Sequence, residues 1–127
     1  MPDKTVAEKL LFKPGKKILI VSPPEGIDTL LGLLPAGIEL MQEANEPADI
    51  ILVFIKDRRE LEAHLPSLKT VMHPKGALWV AYYKGTARVD TDIHRDSLNA
   101  YAGTLGMTGV AIISIDQDWS ALRLKVQ

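Results

Sequence analysis

The chain has 127 residues, a formal net charge of -1 and no cysteine. That length suits a single domain with one core of ordinary size. The near-neutral balance excludes a general attraction to nucleic acid or to an anionic membrane. The lack of cysteine excludes disulfides and thiolate metal sites and fits a cytoplasmic protein.

The opening MPDKTVAEKLL is charged, so no signal peptide is expected. No apolar run approaches the roughly 18 residues of a membrane span. Residues 4–11 read as a short helix, with Val6, Ala7, Leu10 and Leu11 on one face, stopped by Pro14-Gly15. Lys17–Val21 is an apolar, β-branched run that predicts a strand buried on both faces. Ser22-Pro23-Pro24-Glu25-Gly26 predicts a tight turn into a helix over residues 25–34, which Pro24 is suited to begin. Residues 38–41 read as a short strand, 42–48 as a polar connector, and 50–55 (IILVFI) as a central strand.

Asp57-Arg58-Arg59-Glu60 has the spacing of a capping box. The helix it opens carries the stripe Leu61, Leu65, Leu68 and Met72, with a break predicted at Pro66. Pro74-Lys75-Gly76 reads as a turn, 77–82 as a third long strand and 84–91 as a polar loop. A helix over 93–105 is expected to be capped by Thr91 or Asp92 and closed by Gly106. The chain then forms a hairpin, Val110 to Ile115 and Trp119–Val126, around Asp116-Gln117-Asp118.

Alternating helices and strands predict one α/β domain over residues 1–127. It is a three-layer, Rossmann-like fold with a mostly parallel sheet of about six strands and a C-terminal antiparallel hairpin. The connector 42–48 is short for a parallel crossover. Either it runs nearly straight across one face or 38–41 is barely a strand.

LLFKPGKKILIV, EPADIILVFI and VMHPKGALWVAYY resemble three landmarks of the S-adenosylmethionine-dependent methyltransferases. These are the helix–loop–strand before the cofactor turn, the fourth strand, and the turn into the fifth strand. The closing hairpin resembles that fold's sixth and seventh strands. DxxWSALR, Asp116 to Arg123, strengthens a resemblance over nearly the whole chain to small bacterial proteins classed only as a domain of unknown function. The resemblance implies a shortened methyltransferase-like core without the family's third strand, with the order across the sheet 38–41, 17–21, 50–55, 77–82, 119–126 and, at the edge, 110–115.

One departure stands out. The methyltransferase pattern D-x-G-x-G-x-G puts its acid at Ile20 and its glycines at Ser22, Pro24 and Gly26, and only Gly26 survives. Glycines there let the backbone approach a cofactor and donate N–H groups. Pro23 and Pro24 donate none, and Ile20 accepts none. The acid that would hold a cofactor ribose falls at Glu43, or at Glu39. The expectation is therefore a degenerate cofactor motif, no cofactor, and a non-catalytic binding or interaction protein whose cleft is filled by Pro23, Pro24 and the 84–91 loop. The alternative is a small-molecule-binding protein or S-adenosylmethionine-dependent methyltransferase, with an open cleft and convergent polar groups at the carboxyl edge of the sheet.

Candidates for any cleft ligand are Glu25, Gly26, Glu43, Asp57 and Lys84. Glu25-Gly26 sits where open α/β sheets bind ligands, although Glu25 also suits the dipole of the helix it opens. Asp57 and Lys84 follow strands as in a phosphoreceiver domain. Ser22-Pro23-Pro24 lacks the acidic pair such a site needs, which leaves Asp57 as a helix cap. Asp90, Asp92, His94 and Asp96, with His64 or His73, have metal-binding chemistry, yet they fall where a helix begins and read as acids at its N-terminus. No metal site is expected. No Ser-His-Asp signature can be placed, since Pro23 and Pro24 replace the small residues a nucleophile elbow needs. His64 and His73 read as surface or helix-end residues. Trp79 reads as core, while Tyr83 and Trp119 lie near strand ends, where they are placed to line a pocket. An apolar edge strand from Val110 to Ile115 is a pairing hazard, which predicts a homodimer through it.

Overall fold

The structure, a computed structural model, describes residues 6–32, 34, 36–41, 47–84 and 93–126, with residues 73–75 described by backbone alone. Helix α1, Val6–Lys9, buries Ala7 and leads to the buried Leu10. It ends before the expected Leu11 because Leu11 turns left-handed (φ 69), and Phe12 N–H bonds back to Ala7 O at 3.0 Å. Strand β1, Lys17–Val21, follows. Helix α2 is only Ile27–Leu31, not 25–34, since Gly26 (φ 78) and Gly32 (φ 77) adopt backbone angles no α-helix contains.

Strand β2, Glu39–Met41, is short but real, paired in parallel with β1 from Lys17↔Glu39 to Leu19↔Met41. Strand β3, Ala48–Phe54, is buried along nearly its whole length. Helix α3, Arg58–Thr70, starts as expected at Asp57, whose carboxylate accepts Glu60 N–H at 2.9 Å. The reciprocal bond is shifted by one residue, with Glu60 Oε1 accepting Lys56 N–H at 2.6 Å.

Two expectations give way here. Helix α3 passes through Pro66 without a break. Proline removes the bond to the carbonyl four residues earlier. That residue, Glu62, is exposed, while the buried Leu61, Leu65 and Leu68 hold both halves to the sheet. Pro74-Lys75-Gly76 is likewise no turn, because strand β4 runs unbroken over Met72–Tyr83. Its pairing with β3 jumps from Ala48↔Met72 to Ile50↔Ala77, so residues 73–76 bulge opposite Asp49. Pairing on both sides overrides the local turn chemistry.

Helix α4, Arg95–Thr104, begins at His94, whose N–H donates to Ser97 Oγ at 2.9 Å. The expected caps Thr91 and Asp92 lie outside the described residues. Strand β5 spans Met107–Ser114, three residues earlier than expected and without Ile115, and β6 spans Trp119–Val126. Between them Asp116 Oδ1 accepts the N–H groups of Asp118 and Trp119, both at 2.8 Å, an Asx turn.

The sheet order is β2-β1-β3-β4-β6-β5, the predicted one, with β6 antiparallel to both of its neighbours, β4 and β5, and the other pairs parallel. Side chains alternate across it. Leu19, Ile51 and Val80 pack under Leu65 of α3 and Leu98 of α4. Ile18, Leu52 and Trp79 pack under Leu10 and Leu31 on the other side. That double burial gives three layers. Among the described residues no helix is long and apolar enough to cross a membrane.

Candidate functional site at the carboxyl edge of the sheet

Strand β1 ends at Val21, and Ser22 turns left-handed with φ 53. Gly26, at the N-cap of α2, has φ 78. The first and last glycine positions of the methyltransferase pattern thus both keep positive φ, although only one holds glycine. A serine there is strained by about 1 kcal/mol or more. The parallel pairing of Ile18 to Val21 with β3 and the buried Leu31 of α2 hold the two ends of the turn in place.

Beside this turn a cleft of about 610 Å³ opens between the carboxyl ends of β1 and β2, with α2 on one side and α3 on the other. Ile20, Leu40, Ile27 and Leu31 give it apolar walls, and Ser22, Asp28, His64 and Ser67 bring polar atoms to it. An apolar cleft with a few convergent polar groups is the usual form of a small-molecule site. Asp28 lies exposed in the first turn of α2. His64 is half-buried, and Ser67 Oγ donates to His64 O at 3.1 Å, which leaves the hydroxyl oxygen able to accept from a ligand.

Of the residues expected to form a site, the described ones, Glu25, Gly26, Asp57 and Lys84, do not meet here. Glu25 and Gly26 border the turn, exposed, outside the cleft lining. The Asp57 carboxylate caps α3. Lys84 holds the hairpin, its Nζ donating to Ser114 Oγ at 2.6 Å and its N–H to Asp118 O at 2.8 Å. Glu43 lies outside the described residues. Glu39 opens β2 opposite Lys17, at the amino edge of the sheet. The sequence reading did not place Asp28, His64 and Ser67 together at a cleft. The signals were an acid two residues past Gly26, and His64, Ser67 and Leu68 sharing a face of α3 at helical spacing.

Pro23 lines the cleft and Pro24 is half-buried, yet the space between α2 and α3 stays open. The loop 85–91, expected to help fill it, lies outside the described residues. Tyr83 and Trp119 stack on one another, centroids 4.1 Å apart, and Phe54 meets Trp119 edge-on at 5.1 Å, so these rings pack together away from the cleft. Burial pushes the Tyr82 hydroxyl above its ordinary value, opposed by Arg95 and aided by Asp96. Among the described residues no three His, Asp or Glu side chains gather as metal ligands; Asp90 and Asp92 lie outside them.

Neither a protein-family model nor a curated protein matches the sequence. Solved structures do match. DhpI in complex with SAH superposes with a TM-score of 0.65 at 12% identity, over 95% of this chain and 82% of that one. A ribosomal protein L11 methylase from Lactobacillus delbrueckii subsp. bulgaricus gives 0.61 at 12% identity, over 94% and 74%. The fibrillarin pre-rRNA processing protein of Methanococcus jannaschii gives 0.56 at 16%, over 91% and 68%. The fold is methyltransferase-like. Identities this low show the fold and no more, and the narrower resemblance to a small bacterial group is matched by no family model. In this methyltransferase-like frame the cleft opens at the turn after the first strand, where the sequence comparison placed the altered glycine motif.

Proposed function

We propose that the chain is a small-molecule-binding domain that takes an adenosyl ligand, S-adenosylmethionine or S-adenosylhomocysteine, in the cleft between α2 and α3. One observation carries this: an open, largely apolar cleft of about 610 Å³ beside a turn that keeps positive φ at Ser22 and Gly26. The fold neighbour DhpI was solved with SAH, which supports the same ligand class here.

The residues present fit such a ligand. Ile20, Ile27, Leu31 and Leu40 offer apolar surface to a purine ring. Asp28 offers a carboxylate to ribose hydroxyls or to a cationic centre, and Ser67 and His64 add hydrogen-bonding groups. In the turn only Ser22, Glu25 and Gly26 carry an N–H, since Pro23 and Pro24 carry none. When bound, S-adenosylmethionine supplies an electrophilic methyl group on its sulfonium. The chain's own residues hold the ligand and shield its apolar parts from water. A non-catalytic interaction protein, as the proline turn suggested, finds no support in a cleft that is open.

Thermal unfolding with S-adenosylmethionine, S-adenosylhomocysteine and a nucleotide panel tests this. Ligand at about 100 times its Kd adds roughly 2.7 kcal/mol, on the order of a 10 °C rise in midpoint for a domain of this size. Ser67→Trp, at an exposed helix position that lines the cleft, should abolish the rise while leaving the ligand-free midpoint nearly unchanged. No rise with either adenosyl ligand overturns the assignment and returns the search to protein partners.

A further inference from the structure

The amino edge of the sheet, opposite the cleft, carries two adjoining hollows that share Gly76 and Arg123. One, of about 300 Å³, is lined by Leu11, Lys13, Lys16 and Asp49. The other, of about 410 Å³, is lined by Val110, Leu124, Lys125 and Val126. The topology makes this trough. Strand β6 runs antiparallel to β4, so its last residues reach the edge where β1 and β3 begin. The loop before β1 is held in place, with Lys16 N–H on Lys13 O at 3.3 Å and Glu39 N–H on Lys16 O at 3.0 Å.

Four cations, Lys13, Lys16, Arg123 and Lys125, line the trough. Among the described residues the ion pairs within 4.0 Å are Arg58–Glu62 and Arg95–Asp96, neither of which draws on these four. The carboxylate in the trough, Asp49, accepts Lys17 N–H at 2.9 Å. In a chain of net charge -1 this is a local excess of positive charge. Its rim is apolar: Leu11, Val110 and Val126 are 37%, 49% and 40% exposed.

We infer that this trough docks an acidic protein segment with interleaved apolar side chains. Clustered cations select an anionic partner, and the exposed Leu11, Val110 and Val126 give its apolar residues a seat. Single-stranded nucleic acid fits less well. Among the described residues no aromatic ring lines either hollow to stack a base, and the near-neutral chain lacks the broad positive field that nucleic-acid binding uses.

The test is fluorescence anisotropy on the full chain with three probes. They are a labelled peptide alternating glutamate and leucine, the same peptide with glutamine for glutamate, and single-stranded oligo-dT. The glutamate peptide should bind and should weaken about tenfold on moving from low salt to about 1 M. Lys13→Glu with Lys16→Glu and Lys125→Glu, all at exposed positions, should weaken it about tenfold. The same variant should keep its thermal midpoint and any adenosyl-ligand response, which separates this surface from the cleft. Equal binding of the glutamine peptide, tighter binding of oligo-dT, or no binding of the glutamate peptide each overturns the inference.

Discussion

The indole Nε1 of Trp79 donates to the backbone carbonyl oxygen of Leu10 at 3.0 Å, with both residues buried. This bond ties a four-residue helix, far too short to persist by itself, to the central strand β4. Trp79→Phe should leave a void and a buried carbonyl without its donor. The expected loss is about 3 kcal/mol, read by urea denaturation. A loss below about 1 kcal/mol would mean that α1 holds its place without the bond.

Ser22 and Gly26 should respond in opposite directions. Ser22→Gly relieves a left-handed serine and should stabilise the fold by up to about 1 kcal/mol. Gly26→Ala should cost about 1 kcal/mol. A Cβ at Gly26 meets nothing within 4 Å, so that cost is conformational and not steric. Denaturant midpoints that move the same way in both variants would contradict the backbone assignment of the turn.

Asp57 is a helix cap with no place in the cleft lining. Asp57→Ala should lower stability by about 1 kcal/mol, and Asp57→Asn by much less. Neither should change the affinity for an adenosyl ligand. A tenfold loss of affinity in Asp57→Asn, measured by calorimetry, would put Asp57 in the site after all.

Tyr82 predicts a pH dependence. Burial, first, holds its pKa above the ordinary 10.0, opposed by Arg95 and aided by Asp96. The folded state therefore keeps the phenol proton where the unfolded chain has begun to lose it. The stabilisation is fully present below about pH 10 and is lost as pH rises through the folded value. Urea midpoints from about pH 9 to about pH 11 should fall more steeply for the native chain than for Tyr82→Phe. Parallel slopes would show that Tyr82 titrates alike in both states.

The sequence by itself determined the layers and the sheet; the strand order followed from its resemblance to the methyltransferases. Lys17–Val21 and residues 50–55 are apolar at every step, so both faces need cover, and the alternation of helices with strands leaves few topologies that supply it. Asp57 was legible as a cap because its partner Glu60 is three residues away. Tertiary structure decided what local chemistry misreads. Pairing with β3 on both sides turned Pro74-Lys75-Gly76 from a turn into a bulge, and sheet contacts on Leu61 and Leu68 carried α3 across Pro66. It alone decided the sites. Asp28 and His64 line one cleft because α2 and α3 flank the end of β1, and Lys13 and Lys125 line adjoining hollows because β6 runs backwards. A capping bond or an apolar run is made by near neighbours in the chain, whereas a cleft is made by the spacing of elements across a sheet, which only packing sets.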